Sequence, residues 1–239
     1  MTPPRLVRGL AFLALVGPLF VGGGGGFAEA VKNEYITCGS VISLQGETQR
    51  TQLACKEVAY GGRGSGQNAC TGVTGSAEPD RYFVVRGLAG EDAEPCLQGT
   101  LITKGRKLRL QHMASGRWLH SHHITSMISN NQEVSCFGGA DESDDSDVWH
   151  VTWNGGGKYW AKSDKVTFKH DVTGRYLGAM GGVYPKPLAG QKEVAALKSK
   201  SAATLFTVTE GIIFPQRVIQ NTASPEDKVV GAEDKHSEL

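Results

Sequence analysis

Along LRLQHMASGRWLHSH, residues 108–122, Leu108, Leu110 and His112 alternate with Arg109 and Gln111, the period of two expected of a strand with one buried face. MASG ends in Gly116, which suits a short hairpin loop whose last residue takes a positive φ. The same pattern returns 58 residues downstream as VTFKHDVTGRYLGAM, with His170, Gly174, Arg175, Tyr176 and Leu177 standing for His112, Gly116, Arg117, Trp118 and Leu119. A more diverged copy begins at ISLQGETQRTQLACK. It keeps Leu44 and Leu53, carries Gly46 in place of the histidine, and reads with Gln49 where the glycine is lost.

Each copy continues in the same way, through GSGQNACTGV, NNQEVSCFGG and GQKEVAALKS, and closes on an apolar strand, RYFVVRG, DVWHVTW or TLFTVTEG. From Leu44 to Leu110 to Phe168 the steps are 66 and 58, and from Phe83 to Trp149 to Phe206 they are 66 and 57. Three units that cannot bury their own apolar faces pack around a common axis and close into a barrel. The pattern therefore predicts an all-β fold, a β-trefoil occupying residues 31–214, with repeats at about 35–88, 97–154 and 157–212.

The ends read differently. Arg5 and Arg8 precede the apolar run LAFLALVGPLFV, and Ala28-Glu29-Ala30 offers a small-x-small cleavage pattern, so residues 1–30 read as a signal peptide. The run is shorter than the roughly 20 residues needed to span a bilayer, so no membrane insertion is expected. Residues 215–239 form a polar tail ending in His236, Ser237, Glu238 and Leu239, similar to the signal that retrieves lumenal proteins to the endoplasmic reticulum, with Ser237 in place of the usual aspartate. Without the leader, 23 basic and 23 acidic residues cancel. They read as evenly spread, which argues against nucleic-acid binding.

An oxidising lumen makes disulfides available to the five cysteines and leaves one thiol over. Cys55 and Cys70 flank a glycine-rich excursion, and closing that loop is worth about 3 kcal/mol in the chain-entropy model. Cys38 and Cys96 precede equivalent strands. The expected bridges are Cys55–Cys70 and Cys38–Cys96, with Cys136 as a buried free thiol.

With these motifs in hand, LQHMASGRWLHSH, YGGRGSGQNACTGV and NNQEVSCFG, together with leader and tail, resemble the MIR domain and the stromal cell-derived factor 2 family. The resemblance implies a lumenal, non-catalytic β-trefoil that needs no cofactor. It also implies work with a J-domain co-chaperone and BiP on unfolded clients; because MIR domains also occur in protein O-mannosyltransferases, a lectin-like binder of mannosylated proteins is the alternative. The first repeat departs from the family, reading Leu53-Ala54-Cys55-Lys56 where Leu-His-Ser-His is usual.

Candidate chemistry narrows from there. Neighbouring side chains on a strand face opposite ways, so Ser121 turns from His120 and His122 and a Ser-His nucleophile is disfavoured. His120 and His122 share a face, yet no third zinc ligand is nearby in sequence. GGRGSGQ lacks the lysine and hydroxyl of a phosphate loop. DESDDSD lacks the glycine and glutamate of a calcium loop and reads as a solvated acidic turn. The binding candidates are Tyr60, Trp118, His120, His122 and Tyr176, expected as exposed aromatics and unpaired polar groups on a rigid platform.

Overall fold

Each copy of the pattern becomes four strands and one short 3-10 turn. The computed structural model describes residues 34–217 apart from 76–78, 89 and 91–92, so residues 1–30, expected to be a signal peptide, and the tetrapeptide His236–Leu239, expected to be a retrieval signal, lie outside the described residues. The first copy gives β1 (Val41–Gly46), β2 (Gln52–Ala59), β3 (Asn68–Val73) and β4 (Phe83–Arg86). The second gives β5 (Lys107–His112), β6 (Trp118–Thr125), β7 (Gln132–Phe137) and β8 (Trp149–Trp153). The third gives β9 (Val166–His170), β10 (Tyr176–Val183), β11 (Lys192–Leu197) and β12 (Phe206–Ile212).

Six strands close a ring: β1 pairs with β4, β4 with β5, β5 with β8, β8 with β9, β9 with β12, and β12 with β1. The other six form the hairpins β2–β3, β6–β7 and β10–β11. Their second strands meet pairwise, β3 with β7, β7 with β11 and β11 with β3, and cap one end of the ring. This is a β-trefoil, and its register repeats residue for residue. Leu53 faces Gly72, Leu119 faces Cys136 and Leu177 faces Ala196; two residues on, Cys55, Ser121 and Ala179 face Cys70, Val134 and Val194. Every hairpin then breaks register at the same place, before Ala59, Thr125 and Val183.

The alternation read from sequence fills the core. Leu44, Leu110 and Phe168 are fully buried, as are Phe83, Trp149 and Phe206. Burying an aliphatic or aromatic side chain of this size stabilises by about 1.5–3 kcal/mol.

Gly116 and Gly174 take φ of 73° and 69°, as the hairpin loops require. In the first copy the residue at that place is Arg50, at φ 52°, one position beyond Gln49, which the sequence had suggested. The count from the strand fixes this: Arg50 N donates to Gly46 O just as Gly116 N donates to His112 O and Gly174 N to His170 O. Among the described residues Arg50 alone is a non-glycine with positive φ, a conformation in which Cβ crowds the carbonyl.

Cys38–Cys96 is bridged as expected. Cys55–Cys70 is not: Cys55 is bonded to Cys136, and Cys70 is the buried free thiol. Loop length along the chain cannot see that the cap brings strands of different repeats together. β7 runs beside β3, pairing Cys136 with Asn68, and carries Cys136 to a Cα–Cα distance of 5.9 Å from Cys55, within the span a disulfide needs. Cys70 occupies the slot that Val134 and Val194 fill in the other repeats, and burial pushes its thiol well above the ordinary cysteine range. Closing 58 and 81 residues, the two bridges restrict the unfolded chain by about 4–5 kcal/mol each in the chain-entropy model.

Two outcomes follow from this geometry. Arg50→Gly relieves the left-handed backbone and raises stability by roughly 1 kcal/mol, about 3 °C in melting temperature, after the extra unfolded-state entropy of glycine is set against it. Calorimetry showing no gain would refute the strain. Non-reducing peptide mapping yields a Cys55–Cys136 peptide, and a thiol reagent titrates no group in the native chain but one after unfolding in urea.

Candidate functional site

Most of the residues that looked like chemistry are spent on architecture. His112 and His170 end β5 and β9 opposite Phe83 and Trp149, with ring centres 5.6 and 4.8 Å apart. Each Nδ1 accepts from the backbone N–H three residues on, of Ser115 or Thr173 at 3.3 Å, and meets that residue's hydroxyl at 2.7 or 2.8 Å. His170 then presents Nε2–H to Ser146 O at 2.8 Å, tying its hairpin loop to the 3-10 turn Asp145–Asp147. Burial pulls both imidazoles below the ordinary histidine range. In the first repeat Gly46 faces Phe206, and a side chain there would collide with the methyl of Ala179.

Trp118 and His120 lie on one continuous polar wall. Arg109 stacks on the Trp118 ring, Cζ 4.6 Å from its centre, donates from Nε to Gly87 O at 2.9 Å and from Nη1 to Ser143 Oγ at 2.5 Å. Ser143 Oγ donates to Asp147 Oδ2 at 2.8 Å, and Asp147 Oδ1 receives His120 Nδ1 at 2.9 Å. Trp118 Nε1 donates to Gly139 O. Trp118 and His120 are therefore 5% and 4% exposed and hydrogen-bonded, where exposed, unpaired groups were expected. In the acidic run Asp141, Glu142, Asp144 and Asp145 are exposed as expected of a solvated turn, but Asp147 is wholly buried: it is the last residue of the turn and closes a capping box with Asp144.

His120, Asp144 and Asp147 bring their ligand atoms within 4.8 Å of one another, the separation a metal would use. Asp147 Oδ2 already accepts from Ser143 Oγ and Asp144 N, Asp147 Oδ1 meets His120, and Asp144 Oδ1 accepts from Ser146 N. The Arg109 guanidinium beside them opposes a further cation.

His122 shares the face of His120, ring centres 5.2 Å apart, and turns to Glu133, with Nε2 3.1 Å from Oε1. The buried Glu133 carboxylate also accepts from Ser65 Oγ at 2.5 Å and Ser65 N at 3.3 Å, which holds the glycine-rich loop against the cap. Ser121, as its strand phase required, points elsewhere and donates to Glu133 O. Tyr60 is 3% exposed: its hydroxyl donates to Cys70 O at 2.8 Å, with Val134 O at 3.0 Å and Tyr184 Oη at 3.2 Å. Burial raises both phenols. Tyr60 thus pins the cap and is not a surface aromatic.

Tyr176, the third-repeat counterpart of Trp118, is half-buried and lines an open cavity of about 380 Å³ with His150, Thr152, Lys169, Asp171 and Lys200. The structure unites His120 with His122, sets Tyr60 in the cap and leaves Tyr176 by itself on the third repeat. Asp147, Glu133, Arg109 and Lys200 were not foreseen. The first three announce themselves only through partners distant in sequence. Lys200 was accessible to a count by repeat: residues 157–212 hold nine lysines and arginines against four acids, so the charge is not evenly spread.

A trefoil of three such units, with hairpin histidines and a Leu-His-Ser-His strand, is the MIR fold, and the MIR domain profile matches residues 88–209. Mouse stromal cell-derived factor 2 is 40% identical over 200 residues, covering 84% of this chain and 92% of the mouse protein. The crystal structure of the SDF2-like protein from Arabidopsis thaliana superposes with a TM-score of 0.73 at 36% identity, over 77% of this chain and 99% of that one. The chain belongs to the stromal cell-derived factor 2 family. Likeness to a Saccharomyces cerevisiae protein O-mannosyltransferase complex, TM-score 0.65 at 24% identity over 81% of this chain and 26% of that one, is a likeness of fold.

The two hairpin histidines carry a pH signature. Both bind a proton less readily folded than unfolded, so their stabilisation is complete above about pH 6.5, the unfolded value, and is lost as pH falls below it. His170→Gln is expected to cost about 1–3 kcal/mol at pH 7.5 by removing buried hydrogen bonds. It is also expected to flatten the decline in urea-unfolding free energy between pH 7.5 and 5; an unchanged slope would reject the linkage.

Proposed function

We propose that the chain acts without catalysis, as a lumenal interaction module of the endoplasmic reticulum that assists chaperone-based quality control with a J-domain co-chaperone and BiP on unfolded clients. The observation that carries this reading is the commitment of its polar side chains. His112, His120 and His170, with Asp147 and Glu133, each hold a loop or turn in place, and His122 joins β6 to β7 through Glu133, which favours a rigid docking body over a reaction centre. Family membership points the same way. Two disulfides suit an oxidising lumen.

The lectin-like alternative loses its first platform, because Arg109 and Gly139 already occupy the ring and the Nε1 of Trp118. Affinity isolation of the tagged full chain from lumenal extract, with and without excess mannose, separates the two readings. Recovery of a J-domain protein and BiP that mannose does not displace is expected. Loss of every partner on adding mannose would move the assignment to glycan binding, and an extract yielding no partner would reject both.

A further inference from the structure

We propose that the outer face of the β8–β9 hairpin, with the adjoining flank of β10, is a docking groove for an acidic, extended segment of a partner protein; the inference rests on the protein-interaction reading above. Along β8 and β9 the side chains of Trp149, Val151, Val166 and Phe168 go into the core, which turns His150, Thr152, Thr167 and Lys169 to the other face. His150 faces Lys169 and Thr152 faces Thr167, with the two threonine hydroxyls 2.8 Å apart. The 380 Å³ cavity at Tyr176 lies at one end of this ladder. A second cavity, about 230 Å³, lies at the other, lined by Trp153, Lys165, Thr167, Lys200 and Leu205. Lys200 lines both, so the two cavities adjoin across its side chain along the same face.

Its charge is one-sided. Lys165, Lys169 and Lys200 are exposed along it; Lys165 is paired with Glu47 at 2.8 Å, whereas among the described residues neither Lys169 nor Lys200 has a carboxylate partner. Lys200 Nζ stands 5.5 Å from the Tyr176 ring centre, so an aromatic face holds this cation at the wall. The one acid lining the groove, Asp171, is already engaged by Lys107 at 3.0 Å and by His150. The excess arises in a repeat with nine basic and four acidic residues, within a chain that is neutral once residues 1–30 are set aside.

Spacing selects the partner. Lys165 and Lys169 are four residues apart along extended chain, about 13 Å between backbones, and Lys200 lines a cavity with each, so the cations form a row suited to carboxylates spaced along an extended peptide. The walls supplied by Trp153, Leu205 and Tyr176 favour a peptide, whose apolar side chains cover aromatic surface between charges, over a uniformly sulfated glycan.

The test uses the full processed chain and a fluorescein-labelled synthetic peptide with glutamates at every fourth position separated by tyrosine, leucine and serine. Its Glu→Gln twin and a heparin oligosaccharide are the comparators. Saturable binding of the acidic peptide is expected, weakening at least tenfold from 50 to 300 mM salt, with no binding of the twin. Lys169→Glu with Lys200→Glu, both at exposed positions, should keep the melting temperature and reduce affinity at least tenfold. Lys165→Gln should reduce it by a smaller factor, and Lys186→Glu, outside the groove, should leave it unchanged. Absence of peptide binding, binding indifferent to the double variant, or tighter binding of heparin than of peptide overturns the proposal. Isolation from lumenal extract with both chains separates the two levels: partners retained equally by wild type and double variant reject the groove and leave the interaction module standing, whereas a wild-type chain retaining none rejects both.

Discussion

Everything in this molecule depends on the pairing of β1 with β12, which joins the first and last described strands and closes the ring. A four-strand unit exposes an apolar face and unpaired strand edges on its own; three of them remove both by sharing. Closure puts Leu44, Leu110 and Phe168 in one core and forces β3, β7 and β11 together at the cap. The cap is then crowded enough to need internal hydrogen bonding, and Tyr60, Glu133 and Tyr184 supply it. Stability and the placement of the polar network have the same origin.

The histidines show how a reactive residue type becomes structural. A neutral imidazole offers an acceptor and a donor about half a ring apart, and at the end of a strand these reach a hairpin loop on one side and a 3-10 turn on the other. No aliphatic side chain can join two backbone segments in this way. His170 does so through Thr173 and Ser146, while the first repeat does without, because Gly46 yields its space to Ala179.

Periodicity and internal repetition are local properties, and they made the strands, the hairpin glycines and the trefoil legible in the sequence. The positive φ at Gly116 and Gly174 and the turn of Ser121 away from its flanking histidines followed from the same local rules. What sequence could not show was adjacency between repeats. Cys55 meets Cys136 and not Cys70 because a neighbouring repeat supplies the closer strand. Trp118, His120 and Tyr60 are covered because Arg109, Asp147 and Tyr184 arrive from other elements. Within a sequence, exposure of an aromatic cannot be separated from the arrival of such partners. The basic excess of the third repeat was countable, although its gathering beside two cavities depended on Lys200 lying between them.

The two disulfides are placed unequally, and this has a mechanical consequence. Cys38–Cys96 ties the entry of the first repeat to the threshold of the second, and Cys55–Cys136 stitches the bodies of those two repeats together. No covalent tie reaches the third. Tension applied at the carboxyl end therefore loads β12 first, unzips it from β1 and peels away the third leaf while the other two stay clasped, so the trefoil has a built-in order of rupture that its near-symmetry conceals.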